Sequence, residues 1–349
     1  MCKEGIGVSA VIVAAALAVL TTSSACNSGR PSTTALEVED RERLLVLSPH
    51  PDDETLGAGG LIQRVIERGG TVRVVLATAG DGYVEAVRHE TGELNPRPAE
   101  YVAYGEWRMR EARAAMRELA PRRLRLELLG FPDGGLERLL LAHYWRSDPG
   151  RSPTTHASHP PYPDALDPNL PYDGDDLRAE LVRILRETRP TIVALPDYLD
   201  RHPDHRATGI FTLMAVGDWT KKGAEMPRLL AYLIHWPGWP PGWDLMNPSP
   251  AARQGSLELP SDLPDRGLAS VSLSLSEAEV TAKAAALSRY ATQQAVMPGL
   301  MAAFVRQTEP FTIFTGAQIR AVGELIERTP AAATSPSVKP WAMRSSSGG

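Results

Sequence analysis

Three short runs in this chain are apolar almost from end to end: Arg43–Leu47 (RLLVL), Val72–Ala77 (VRVVLA) and Thr191–Leu195 (TIVAL). A strand without polar alternation has to be covered on both faces, which is the situation of a strand inside a parallel sheet. Between such runs the period changes to that of helices. Ala58–Arg68 carries Leu61, Ile62, Val65 and Ile66 on one side, Tyr101–Leu119 is a long amphipathic stretch, and Asp176–Glu187 precedes the third apolar run. Leu124–Leu129, Leu229–His235, Ser270–Leu275 and Pro310–Phe314 read as further strands, with helices over Ser276–Tyr290 and Gly299–Gln307. Alternating buried strands and helices predict an α/β fold, a Rossmann-like three-layer α/β/α arrangement around a mostly parallel sheet.

The ends of the chain read differently. Ile6–Leu20 is an apolar run of the length of a signal-peptide core and short for a membrane span. It ends in Thr21-Thr22-Ser23-Ser24-Ala25-Cys26, small residues before a cysteine, as in a bacterial lipoprotein signal, with Ser23 where a leucine is usual. Residues 1–25 are therefore expected to direct export, to the cell envelope as a lipoprotein or as a secreted protein. Contact with a membrane is expected only through the signal or a lipid on Cys26. The alternative is an ordinary cleaved signal with Cys26 incidental. Residues 26–41 read as a flexible tether, 42–328 as the folded domain, and 329–349, rich in Ala, Thr, Ser and Pro, as a disordered tail. Within the domain, residues 136–172 break the pattern with seven prolines and three histidines, and are expected to form a long surface insertion near the active face.

Cysteine and charge exclude several chemistries. Cys2 and Cys26 are the only cysteines, so the folded domain can hold neither a disulfide framework nor a thiolate zinc site. A net charge of −5, without a basic stripe interleaved with aromatics, excludes a nucleic-acid partner. Chemistry concentrates instead in two loops, each directly after an apolar run. The first is Ser48-Pro49-His50-Pro51-Asp52-Asp53-Glu54, and the second is Pro196-Asp197-Tyr198-Leu199-Asp200-Arg201-His202-Pro203-Asp204-His205. Strand carboxyl ends are where ligands bind in open α/β sheets. Clustered carboxylates would repel one another unless a cation lay among them, and His with Asp is an ordinary ligand set for Zn²⁺.

The pair PHPDDE at 49–54 and HPDH at 202–205 resembles the PIG-L, or LmbE-like, N-acetylglucosaminyl deacetylase superfamily, which includes enzymes of glycosylphosphatidylinositol and mycothiol synthesis. The likeness extends over residues 43 to 315 and continues in Arg108–Glu111 and in Gly130-Phe-Pro-Asp133-Gly. It implies zinc held by His50, Asp53 and His205, with Asp52 as general base and His202 near the scissile carbonyl, its ring held by Asp204. Arg108 and Asp133 would contact a small amino-sugar-type substrate, and Glu54 would stand behind the ligands. The expected reaction is hydrolysis of an N-acyl, foremost N-acetyl, amide. Some relatives carry a Tyr two residues before the first His of HPDH; this chain has Asp200 there, leaving His202 or Tyr198 as the acid.

Several residues have plainer readings. Asp52 and Asp53 could cap the following helix. Arg108 could belong to a solvated ion-pair face. Asp133 and Asp81 could be turn residues, and Gly57-Ala58-Gly59-Gly60 a packing turn rather than a dinucleotide loop. His143, His156 and His159 read as loop histidines, and Trp236, Trp239 and Trp243 either as a sugar-stacking rim or as loop packing. Two other functions fit the same sequence: hydrolysis of another amide, such as a modified antibiotic or peptidoglycan fragment, and ligand capture without turnover by an exported lipoprotein.

Overall fold

A computed structural model of the chain describes residues 33–120, 122–243 and 255–320. The export signal, Cys26 and the 329–349 tail lie outside the described residues. Eight strands form one sheet: β1 (Thr34–Ala35), β2 (Arg43–Ser48), β3 (Thr71–Thr78), β4 (Leu124–Phe131), β5 (Ile192–Pro196), β6 (Arg228–Tyr232), β7 (Ser270–Ser274) and β8 (Thr308–Phe314). Their order is β1-β7-β8-β6-β5-β2-β3-β4. Strands β4, β3, β2, β5 and β6 run parallel, whereas β8 pairs antiparallel with both β6 and β7. The three apolar runs are β2, β3 and β5, adjacent at the centre, where Leu44, Leu45 and Val46 pair with Ile192, Val193 and Ala194.

Helices cover the sheet, nine of them with both ends inside the described residues. They are α1 (Asp53–Glu67), α2 (Val84–Thr91), α3 (Pro98–Leu119), α4 (Leu136–Leu141), α5 (Gly174–Thr188), α6 (Pro203–Lys221), α7 (Glu277–Leu287), α8 (Ala291–Val296) and α9 (Pro298–Ala303). From β2 the chain runs outward through α1, β3 and α3 to β4, then returns through α5 to β5 on the other side of β2. Right-handed crossovers then place α1 and α3 on one face and α5 and α6 on the other. Helices α3, α1 and α7 pack together, as do α4, α5 and α6. This is the three-layer architecture expected from the sequence.

Helix starts follow local chemistry. Pro98 opens α3 with Glu100 closing a capping box on Arg97, Asp173 caps α5 by accepting from Asp176 N, and Ser276 and Glu279 form a capping box on α7. Helix α6 has no counterpart in the periodicity reading. Its buried residues Ala207, Phe211, Leu213, Met214, Ala215 and Val216 run around the helix, so no single apolar stripe marks it.

Two expectations about loops need correction. Residues 33–41 are not all tether: Thr34 and Ala35 pair with Val271 and Ser272 at the sheet edge, and Leu36 and Val38 are buried. Nor is 136–172 a surface insertion alone. It contains α4, buries Tyr162 and Tyr172, and lies along β4, where Leu166 N donates to Leu128 O at 2.8 Å and Tyr172 OH to Gly130 O at 2.8 Å. The segment thus covers an edge strand that would otherwise expose unpaired backbone groups.

The glycines of α1 are packing residues. A Cβ at Gly57 would lie 2.4 Å from Tyr232 Cδ2. Helix propensity alone would make Gly57→Ala stabilising by about 1 kcal/mol. The clash reverses the sign: Gly57→Ala is expected to destabilise by about 1–3 kcal/mol in urea unfolding, and equal or higher stability would show that Tyr232 yields freely.

Candidate metal centre and cavity

The order of the strands puts the β2 and β5 loops side by side at the point where the chain reverses direction across the sheet. Loop 48–54 is tightly determined. Thr78 Oγ1 donates to Pro49 O at 2.9 Å, Ser48 Oγ donates to His50 O at 2.8 Å, and Asp52 N donates to Glu54 Oε2 at 3.1 Å. Asp52 has φ of 136°, a region L-residues rarely occupy, and such strain persists only where surroundings over-determine it. Its side chain makes no cap hydrogen bond to α1, so the capping reading of Asp52 fails. The carboxylate accepts instead from Arg108 Nη2 at 3.1 Å.

Asp53 joins the two loops. Its Oδ2 lies 3.0 Å from His50 Nδ1 and 3.0 Å from His205 Nε2. The rings of His50 and His205 are 5.3 Å apart, and His50, His202 and His205 each present a ligand atom within 4.8 Å of the others. Asp53, His205 and His235 form a second such group, and His50, Asp133 and Asp204 a third. The residues expected as ligands are therefore brought together, with more donors around them than the sequence suggested.

The second loop corrects two expectations and gives Asp200 a role. Asp204 does not hold the His202 ring with its carboxylate. Its oxygens accept from Gly134 N at 2.7 Å and Leu136 N at 3.0 Å and approach His50 Nε2 at 3.4 Å. The backbone N–H of Asp204 donates to His202 Nδ1 at 3.3 Å, so His202 caps α6. That bond leaves the ring proton of a neutral His202 on Nε2. Asp200 is an orienting group: Oδ2 accepts from Ile234 N at 2.9 Å and His235 N at 3.0 Å and lies 3.2 Å from His205 Nδ1. Tyr198 is buried against Phe314 and Arg266, outside the cavity lining, so it does not replace the missing tyrosine.

A cavity of 310 Å³ opens on this cluster, lined by His50, Asp52, Asp53, Leu56, Gly82, Tyr83, Arg108, Asp133, Gly134, His202, His235, Gln293, Met297 and Leu300. Arg108 is buried, not solvated, and donates to Gly80 O, Pro51 O and Asp52, so much of its hydrogen bonding holds the loop. Asp133 lines the cavity, reaching 3.2 Å from His50 Nε2, and accepts from Gly82 N. Asp81 is buried and accepts from Tyr162 OH of the 136–172 segment. Glu54 stands behind the ligands, accepting from Ser48, Thr55 and Tyr290. Trp236 and Trp239 are buried, donating to Asp262 and Glu258 O, which is loop packing rather than an open rim. The sequence reading missed His235 and Gln293. His235 lies three residues beyond an apolar strand, the same signal that marked His50; Gln293 carried no such mark.

Electrostatics fit a cation. Asp52, Asp53, Glu54, Asp81, Asp133, Asp200 and Asp204 are all buried here, and a buried carboxylate is costly unless compensated. Burial pushes the His205 imidazole down, but Asp53 and Asp200 outweigh it and lift it to about 9. His50 is likewise pressed down by burial and raised well above its usual value by Asp133, Asp204 and Asp53. Asp53 is held well below the carboxylate range by His205 and His50 despite its burial. Both buried nitrogens of His205 face a carboxylate oxygen, Asp53 at 3.0 Å and Asp200 at 3.2 Å, without the alignment of a regular hydrogen bond. Carboxylates that hold protons on imidazoles would equally hold a divalent ion in their place, and two imidazoles with a carboxylate suit zinc. The residues present therefore fit a metal. His202, by contrast, is lowered to about 2 by burial and the neighbouring imidazoles, so it stays neutral.

Burial raises Asp52 to about 8, with Arg108 opposing the shift. In metal-free protein, Arg108→Met should move the Asp52 titration further up, because the opposing cation is gone, whereas Arg108→Lys should move it less. Carboxyl-carbon NMR across pH 5–10 reads both, and a downward or absent shift in Arg108→Met would contradict the assigned contact.

Comparison with known proteins agrees with this geometry. Residues 45–216 match the PIG-L family, described as GlcNAc-PI de-N-acetylase. The 1D-myo-inositol 2-acetamido-2-deoxy-alpha-D-glucopyranoside deacetylase of Tsukamurella paurometabola is 33% identical over 276 residues, covering 73% of this chain and 84% of that protein. Deacetylase 2 of the same description from Saccharopolyspora erythraea is 30% identical over 175 residues, 50% of this chain and 56% of that protein. Among solved structures, N,N'-diacetylchitobiose deacetylase from Pyrococcus horikoshii aligns with a TM-score of 0.47 at 17% identity, covering 80% of this chain and 85% of its own. With both motif loops, their convergence and a relative matched over most of its length, the chain belongs to the PIG-L family.

Proposed function

We propose that this chain is a zinc-dependent deacetylase that hydrolyses the N-acetyl amide of an amino sugar or small glycoside. The observation that carries the reading is the Asp53 carboxylate oxygen 3.0 Å from both His50 Nδ1 and His205 Nε2, at the floor of a cavity that Asp52 also lines. Relatives named as deacetylases of a 2-acetamido sugar linked to inositol support the substrate class.

His50, Asp53 and His205 would hold the ion, which when bound supplies Lewis acidity toward the amide carbonyl and lowers the pKa of water. Asp52 lies beside these ligands; burial lifts it to about 8 in the metal-free protein, and a cation held by His50, Asp53 and His205 would draw it down into the range suited to general-base work. It would accept a proton from the attacking water and return it to the nitrogen as the C–N bond breaks, giving acetate and the free amine. His202 would donate from Nε2 to the carbonyl oxygen, as a neutral imidazole can. Arg108 keeps Asp52 in place through the Pro51 and Gly80 carbonyls. Leu56, Met297 and Leu300 give the cavity an apolar side, so other N-acyl amides belong in the substrate panel. Export of the enzyme, with Cys26 as lipid anchor, remains part of the proposal on the strength of residues 1–26.

The test measures bound zinc and acetate release from N-acetylglucosamine derivatives. Asp52→Asn is expected to keep its zinc and to lose turnover by roughly 10²–10⁴-fold. His50→Ala and His205→Ala should lose the metal as well. Full activity in Asp52→Asn would remove it as the base, and undiminished zinc in both histidine variants would end the metal assignment.

A further inference from the structure

Helix α1 is broken. Ala58 has φ −142° and ψ 16°, so Asp53–Gly57 forms a first turn, and the core-facing helix carrying Leu61, Ile62 and Val65 begins beyond the break. Breaking a helix exposes carbonyls on one side and N–H groups on the other. One carbonyl and two N–H groups at the break are taken up by one buried ion pair from the C-terminal part of the chain. Lys283 Nζ, from α7, donates to Leu56 O at 2.8 Å and to Glu309 Oε1 at 2.7 Å. Glu309, on β8, accepts from Gly60 N at 2.7 Å and Leu61 N at 3.0 Å. The cation sits at the carboxyl end of the first turn and the anion at the amino end of the following helix, the favourable arrangement for both helix dipoles. Side-chain exposures of 1% and 2% make this pair fully internal. Packing at the break is close: a Cβ at Gly60 would lie 2.3 Å from Leu275 Cδ2 and 3.1 Å from Glu309 Cδ, whereas one at Gly59 would meet the Lys283 stem at an ordinary 3.4 Å.

A buried ion pair adds little stability over apolar residues of the same size, so retention for stability alone is a weak account. What the pair does have is a fixed geometric relation to the metal centre. The turn it terminates carries Asp53, follows directly on Asp52, and includes Leu56, which itself lines the cavity. We infer that Lys283 and Glu309 are positioning residues whose ion pair, clamped across the break in α1, sets the placement of Asp52 and Asp53 and hence metal affinity and turnover. The inference rests on the metal-centre reading above. Neither residue lines the cavity or approaches the ligands, so both act only through the turn.

The test titrates the full chain with Zn²⁺ against a competing chelator, and measures kcat and KM for acetate release. The proteins are wild type, Lys283→Met, Glu309→Gln and Leu181→Ala. Leu181, buried on α5, is a control that lowers Tm without touching the break. Lys283→Met and Glu309→Gln are expected to bind Zn²⁺ roughly 10–100-fold more weakly than wild type, as for partners that orient metal ligands, and to lose kcat with KM within about twofold. The double variant Lys283→Met/Glu309→Gln, with no unpaired charge, should fold even where a single variant does not, and should still bind Zn²⁺ weakly. Leu181→Ala should keep wild-type affinity at a comparable loss of Tm. Wild-type affinity and kcat in a folded single or double variant would overturn the inference, as would an equal loss of affinity in Leu181→Ala. Failure of wild type itself to bind Zn²⁺ would instead overturn the proposed function.

Discussion

The pairing of β2 with β5 is the constraint on which the rest of the molecule depends. It places two strands that are almost 150 residues apart in the chain side by side and parallel, Leu44 on Ile192 through Val46 on Ala194. Two loops that leave the same sheet edge must then share a crevice. Every contact of the centre follows: Asp53 reaches His205, His50 approaches Asp204, and the rings of His50, His202 and His205 close on one another. The central apolar runs are what make this pairing obligatory, because neither strand could be exposed on either face.

Around that crevice the protein has concentrated carboxyl groups where water is scarce. Each has a specific holder: Arg108 for Asp52, the two imidazoles for Asp53, Gly134 and Leu136 N–H for Asp204, and Ile234 and His235 N–H for Asp200. The holders come from loops after four parallel strands and from α3, so the site is a property of the whole sheet edge. The strained φ of Asp52 belongs to the same pattern, since Pro49 and Pro51 before it are tied to Thr78 and Arg108 and its own N–H donates to Glu54.

Some features could be read from residues in isolation. The central strands and the helices α3, α5 and α7 carry their period or their caps in plain view, and the two motif loops stand directly after apolar runs. Helix α6 was not legible because a helix enclosed on several sides has no stripe. The 136–172 segment misled for a related reason: its prolines mark irregular backbone, while the burial of Tyr162 and Tyr172 depends on the edge of β4 being there to receive them. Likewise nothing local in Thr34–Val38 announces an edge strand, because its partner lies on β7.

At the site, the sequence alone determined the kinds of groups present and where they leave the sheet: imidazole and carboxylate after β2 and after β5, with thiolate excluded. Partnership was decided by the tertiary structure. That Asp204 serves the α4 backbone rather than the His202 ring, that Asp200 orients His205, and that His235 joins the cluster are facts of distance between separate strands. So is the Lys283–Glu309 clamp, whose members lie more than 200 residues from the helix they bridge. Short-range pattern reports what a residue can do, because period and spacing act along the chain. Which of those capacities is used depends on neighbours that only the folded sheet brings within hydrogen-bond reach.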